Sequence, residues 1–259
     1  MRILLTNDDG INAPGLIALA DELKRVGELL IVAPERERSG SGHAITHDAP
    51  LRVKEVRLNH VLLGYATTGT TVDAVKLGLE VLSKARIDWI VSGINAGGNI
   101  GIDLFYSGTV SGAIEGTING YPAMAFSLYR GNQDRQNLRF RGAAQIAREI
   151  FEAVVERGLP RWTCLNVNIP NLERDAIAGI EITEQALGHY ADAFELRTDP
   201  RGFDYYWMKG QRVSPNSKQR DDAQAIEERK VTITPIQIDL TDFDLLERMR
   251  RWNLRLSER

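Results

Sequence analysis

The sequence predicts an α/β fold: a doubly wound, mostly parallel sheet between two layers of helices, followed by a carboxy-terminal extension of strands and a final helix. Three observations carry that prediction. Short apolar runs at Ile3–Leu5, Leu29–Ala33, Trp89–Ser92 and Ala123–Ser127 lack the polar alternation of a half-solvated sheet and suit strands buried on both faces. Segments of helical periodicity separate them, so strand and helix alternate as in a parallel sheet wound on both sides. Beyond Asn171 this rhythm stops, which divides the chain into a core over 1–170 and an extension over 171–259, with a late strand at 231–238 able to return to the core.

Taken in order, the first strand turns polar at Thr6, Asn7, Asp8 and Asp9 before Gly10. Read alone, Asn, Asp and Gly there close a turn. Pro14 and Gly15 introduce a helix carrying Leu16, Leu19, Ala20, Leu23 and Val26 inward, and Gly27 stops it. The next strand ends at Pro34 and completes a β-α-β unit with parallel strands and a right-handed crossover. The loop from Glu35 to His43 is charged, then glycine-rich, and emerges on the edge that bears Asp8 and Asp9.

Residues 44–66 alternate in polarity and suggest short strands. A helix begins within Thr68–Thr71, with Asp73 at the positive end of its dipole and Val75, Leu79 and Leu82 facing inward. After the strand at Trp89, four glycines in the nine residues from Gly93 to Gly101 give a backbone that can approach a ligand closely, and Ser107 and Thr109 open a helix of small residues. That segment reads either as a phosphate cradle or as a glycine-rich loop packed on a neighbour.

Residues 130–136 read as exposed linker and 137–157 as a long amphipathic helix through Phe140, Ala144, Ala147, Ile150, Phe151 and Val154. Leu165–Ile169 closes the core pattern at Pro170. In the extension, Phe203, Tyr205, Tyr206 and Trp207 mark an interface, a rim over a ligand, or a local core. Val231–Ile238 reads as a strand in which Pro235 implies an edge or bulge. Thr241 or Asp242 caps a last helix with Phe243, Leu246, Met249 and Trp252 as its apolar stripe, suited to docking on a second subunit.

The totals bound the function. With 259 residues, 43% hydrophobic and 26% charged, the chain is an ordinary globular protein with a substantial core. A net charge of −3 disfavours a long nucleic acid as partner and leaves small phosphorylated ligands open. No apolar run approaches the roughly 18 residues of a membrane span. The single cysteine, Cys164, lies in an apolar run as a buried structural thiol and, with an amino terminus that opens directly on a strand pattern, suits the cytoplasm.

Asp8 and Asp9, Ser39, and Asn95 follow three strand ends on one edge of the sheet. Two carboxylates with a hydroxyl and an amide make a hard oxygen set suited to Mg²⁺, Mn²⁺ or Ca²⁺ and poorly suited to zinc. His43 and His47 stand four apart, but the sequence between them favours a strand, so both are read as structural.

On these residues and on TNDDG at 6–10, SGSGHAIT at 39–46, SGINAGGNIG at 92–101, YSGTVSGAIEG at 106–116 and GYPA at 120–123, the chain resembles the stationary-phase survival protein SurE family of metal-dependent nucleotidases. LNVNIP at 165–170 and VTITPIQIDLT at 231–241 extend the likeness over most of the chain. The resemblance implies a Rossmann-like core, an extension used in forming a homodimer or homotetramer, one divalent ion per subunit (Mg²⁺ or Mn²⁺), and hydrolysis of nucleoside 5′-monophosphates and 3′-monophosphates. By position it implies Asp8, Asp9, Ser39 and Asn95 as metal ligands, with the two aspartates catalytic. Asn99, Ser107, Gly108 and Thr109 are the expected phosphate contacts. A dinucleotide-dependent oxidoreductase fits less well, because the first strand leads to acids that repel a pyrophosphate and Ile45 takes the third glycine position of the fingerprint. A protein that binds metal and nucleotide without turnover is the remaining alternative.

Overall fold

In the computed structural model, which describes residues 1–256 apart from Asn59, 132–136 and 214–219, the apolar runs all enter one nine-stranded sheet. Its strands are β1 (Arg2–Thr6), β2 (Glu28–Pro34), β3 (Val53–Leu58), β4 (Val61–Thr67), β5 (Trp89–Asn95), β6 (Ala123–Tyr129), β7 (Thr163–Pro170), β8 (Ile180–Ile182) and, from the far end of the chain, β11 (Val231–Gln237). They lie in the order β3-β4-β2-β1-β5-β6-β7-β11-β8. β1 pairs in parallel with β2 on one side and β5 on the other, while β6 and β7 continue the parallel run. The order therefore reverses between β1 and β5, the position where open α/β sheets bind ligands.

Period-two alternation divides the core into two layers. Ile3 and Leu5 pack on one face with helices α1 (Pro14–Leu23) and α4 (Phe140–Val155), through Leu16, Leu19 and Phe151. Leu4 points to the other face, where Val75 of α2 (Thr71–Leu77) and Val110 and Ala113 of α3 (Gly108–Ile118) meet it and Ile90. All of these side chains are fully buried, and each contributes about 1.5–3 kcal/mol through loss of apolar surface from water, Ala113 less.

Several helix ends differ from the sequence pattern for visible reasons. α1 closes at Leu23, so Val26 sits in the turn before β2. The second helix starts after Thr70, whose hydroxyl accepts from the Asp73 amide while the Asp73 carboxylate accepts from the Thr70 amide, a reciprocal capping box. It gives way to a π-helical turn at Gly78–Leu82. α4 begins at Phe140 rather than at Asn137, and most of the expected linker before it, 132–136, lies outside the described residues.

The extension is not a separate layer throughout. β11 inserts antiparallel beside β7, and β8 pairs with it only over Val231–Ile233. Pro235, opposite Leu165, therefore stands where β11 has no outer neighbour, and its missing N–H costs no ladder bond. β9 (His189–Thr198) and β10 (Asp204–Val213) form their own two-stranded antiparallel sheet. Phe203, Tyr206, Trp207 and Met208 are exposed on this arm, so the aromatic group builds no local core. The short helix α5 (Asp222–Glu227) precedes β11, and the last helix, α6 (Phe243–Met249), capped by Asp242, stops before Trp252, which the sequence pattern placed on its stripe; Phe243 and Trp252 are both exposed.

Candidate active site

The carboxyl ends of β2, β1 and β5 bring together the loop after Pro34, the Asp8-Asp9 turn and the glycine-rich segment after Asn95. Gly10, at φ +103°, lets the chain turn back so that the Ile11 amide donates to the Pro34 carbonyl at 2.9 Å. The Arg38 amide donates to the Asp8 carbonyl at 2.8 Å, which ties the second loop to the first.

Asp8 is 3% exposed. Burial pushes its carboxyl well above the ordinary range; hydrogen bonds from the Thr109 hydroxyl and the Thr109 amide oppose that, and the charge of Glu37 adds to it. The Thr109 hydroxyl donates to Asp8 Oδ1. The carboxylate thus sits on the first turn of α3, whose dipole and unpaired N–H groups favour an anion. Gly108 permits this approach: a Cβ there would lie 2.7 Å from the Asp8 Cβ and 2.8 Å from Oδ2. Among the described residues no cation offsets the Asp8 charge.

Asp9 is half-buried and accepts from the Ala96 amide at 3.0 Å, holding the turn against the segment that follows Asn95. Asn95 donates its side-chain amide to the Gly97 carbonyl at 2.8 Å, leaving its acceptor oxygen for another partner. Ser39 is exposed, and its hydroxyl donates to Glu37 at 2.8 Å.

Asn99 is locked rather than loose. Its amide nitrogen donates to Ser127 at 2.7 Å, its backbone N–H to Asn168 at 2.8 Å, and its carbonyl accepts from Asn166 at 2.7 Å. The alternating polar residues of β7 are therefore the scaffold of the glycine-rich loop. Farther along, the Gly101 amide donates to Asp222 at 2.8 Å and the Gly101 carbonyl accepts from Gln185 at 3.2 Å, so the extension braces the same loop. Ser107 is the N-cap of α3: its oxygen accepts from the Val110 amide at 3.0 Å, and its own proton is still available for donation.

Asp8, Ser39, Asn95, Asn99 and Ser107 line a single cleft of about 610 Å³. Gly108 and Thr109 are buried behind its wall, and the Thr109 hydroxyl is committed to Asp8. The cleft also contains residues the sequence reading did not single out: Ile102, Asp103, Tyr106 and, from the β9–β10 arm, Met208 and Lys209. Tyr106 falls within the motif at 106–116, whereas no local signal marked Asp103 or Lys209. Among the described residues no group of three or more His, Cys, Asp and Glu is placed to hold a metal, so a cation here would depend on two carboxylates supplemented by hydroxyl and amide oxygens. His43, outside this set, pairs with the buried Glu115 at 2.9 Å.

A second groove, of about 460 Å³, runs between α4 and the β8–β11 edge. Its lining is mostly apolar and its acid Glu149 is already paired with Arg174, so it lacks the chemistry of the first.

The family model described as Survival protein SurE matches residues 3–192. The chain is 44% identical over 256 residues to a protein of Carboxydothermus hydrogenoformans named 5′-nucleotidase SurE, covering 97% of this chain and 96% of that one. It is 42% identical over 254 residues to the protein of the same name from Geobacter sulfurreducens, covering 98% and 94%. The crystal structure of the SurE protein from Aquifex aeolicus superposes with a TM-score of 0.83 at 37% identity, over 96% of this chain and 98% of that one.

Proposed function

The chain belongs to the SurE survival-protein family, and from that premise we propose how its own residues carry out the reaction. It is a 5′-nucleotidase, a metal-dependent phosphomonoesterase that hydrolyses nucleoside 5′-monophosphates to nucleoside and phosphate. We infer that 3′-monophosphates are substrates as well. The observation that carries the site assignment is Asp8, a carboxylate buried at the wall of the cleft with its charge offset by no cation among the described residues.

Such a carboxylate suits a divalent ion. Burial raises the cost of the bare charge, and a cation bound beside it removes that cost. In this reading Asp8 and Asp9 anchor one ion per subunit, Mg²⁺ or Mn²⁺, and Ser39 and Asn95 supply further oxygens. When bound, the ion neutralises phosphate oxygens and lowers the pKa of water. Ser107 donates its hydroxyl proton to a phosphate oxygen while its own oxygen stays on the Val110 amide, so binding need not break the cap. Asn99 presents the glycine-rich backbone to the phosphate, held by Asn166 and Asn168. Gly108 and Thr109 act through Asp8: one admits the carboxylate to the helix end, the other holds it there.

We further infer a homodimer or homotetramer. The exposed aromatic arm and the exposed Phe243, Trp252 and Leu256 of the terminal segment are apolar surface that a second copy would cover. A cytoplasmic location suits the lone buried thiol of Cys164. No helix among the described residues is long and apolar enough to cross a membrane.

The test is release of inorganic phosphate from a panel of 5′- and 3′-nucleoside monophosphates with Mg²⁺, Mn²⁺ or chelator, for the wild type beside Asp8→Asn and Asp9→Ala. Metal-dependent release that both variants lose supports the assignment. A folded Asp9→Ala protein with full turnover removes Asp9 from the site, and nucleotide binding without any release by the wild type points to a binding protein.

A further inference from the structure

We propose that Lys209 is a substrate-binding residue, carried to the cleft by the β9–β10 arm, which exchanges its ion pair with Glu195 for the phosphate of the incoming mononucleotide. The inference rests on the phosphomonoesterase reading above.

Among the described residues, Lys209 is the one basic residue of the cleft lining, where the other charged residues are Asp8 and Asp103. Glu37 adds negative charge nearby, since it raises the Asp8 carboxyl further. A phosphate dianion entering this cleft meets a field of its own sign, and a single divalent ion beside two aspartates does not reverse it. A mobile cation at the mouth supplies what the floor lacks.

The present partner of Lys209 makes such an exchange easy. The ammonium pairs with Glu195, and the lysine side chain is 60% exposed. The Glu195 side chain is 32% exposed with its Oε2 shielded from water, so the pair is open on the lysine side alone and contributes modestly. Arg197 bonds the other carboxylate oxygen, Glu195 Oε1, at 2.8 Å, so the Glu195 charge keeps one cationic partner when Lys209 leaves, although Oε2 loses its own. Opposite Ala193 in the β9–β10 ladder, Lys209 projects from a paired strand, and its four-carbon stem lets the charge sweep several ångströms without backbone movement. Arginine at this position would retain the charge but approach with a planar fork.

The experiment titrates inorganic orthophosphate, in the presence of Mg²⁺, into the full-length wild type and the variants Lys209→Ala, Lys209→Arg, Glu195→Gln and Arg201→Ala, and measures KM for one 5′-mononucleotide on the same set. Arg201 lies in the exposed turn of the arm, outside the cleft lining, and controls for the general charge of the arm. Lys209→Ala raises the orthophosphate Kd about fivefold and flattens its salt dependence, with the loss in turnover appearing more in KM than in kcat. Lys209→Arg restores most of the affinity, and Glu195→Gln tightens binding about twofold, a gain that misfolding cannot produce. Arg201→Ala matches the wild type. Unchanged affinity in Lys209→Ala, an equal loss in Arg201→Ala, or no tightening in Glu195→Gln overturns the proposal. Orthophosphate binding is read without turnover, so a protein that binds phosphate through Lys209 yet hydrolyses nothing would sink the enzymatic reading and leave this one standing.

Discussion

Thr109 donates its hydroxyl to the carboxylate of Asp8 across 101 positions of sequence, joining the start of α3 to the end of β1. Both groups are buried, and the bond is one of the forces drawing the Asp8 carboxyl back down from where burial would leave it. Thr109→Val keeps the shape and removes the donor. The expected outcome is a 10–100-fold (order-of-magnitude) loss in metal affinity or turnover, the usual effect of removing a hydrogen bond that orients a metal ligand. Calorimetric titration of Mn²⁺ into the folded variant checks it; wild-type affinity would mean that Asp8 orients itself.

Gly108→Ala tests the close approach at the same helix end. The added methyl meets the Asp8 side chain, its Cβ at 2.7 Å and its Oδ2 at 2.8 Å, so either the helix or the carboxylate must shift. We expect about 1–3 kcal/mol of destabilisation by denaturant melts, from overpacking, together with at least a tenfold loss of kcat/KM. Intermediate activity with unchanged stability would place the strain elsewhere.

Glu115 supplies a pH dependence of stability. Burial pushes its carboxyl up, but hydrogen bonds from His43, Lys76 and Asn119 outweigh that and leave it below its ordinary value of 4.5. A depressed carboxylate stabilises the fold above the unfolded-state pKa, and this contribution disappears as pH falls through the lower folded-state value. Melting temperatures should therefore hold near neutrality and fall below about pH 4.5. Glu115→Gln should be less stable at pH 7 and lose less on acidification; parallel profiles would exclude Glu115 as a source.

Cys164 is 1% exposed, and burial pushes its thiol up to about 12. At pH 8 native protein should react with a thiol-specific disulfide reagent only as fast as it opens, while unfolded protein labels at once. Rapid stoichiometric labelling of the native state would contradict the buried position.

Much of the architecture was readable because it is written in local patterns. Runs such as Leu29–Ala33 carry no polar alternation, so they fit only a sheet covered on both faces, and the same strand ends exposed Asp8, Asp9, Ser39 and Asn95 as candidates on one edge. What escaped the sequence is non-local. That Asn166 and Asn168 hold the backbone of Asn99 depends on β7 lying two strands from β5, and the strand order leaves no trace in a single segment. Thr109 read as a phosphate contact because its hydroxyl opens a helix, while its partner Asp8 lies at the distant end of β1. The arm offered only mixed polar and aromatic residues, the ordinary appearance of a two-stranded ribbon exposed on both faces, and nothing in that pattern says where Lys209 will reach.

The bond from Gly101 to Asp222 spans 121 residues. A nascent chain that has extruded β1 through β7 already carries its acids and glycines, yet the loop between β5 and α3 still lacks the brace from α5, and β7 still presents the open edge that β11 will occupy. Domains consolidate as their sequence emerges. Here the brace at Asp222 and the edge strand β11 both come from beyond residue 220, so the loop and the β7 edge are completed only after the core that they close has been made.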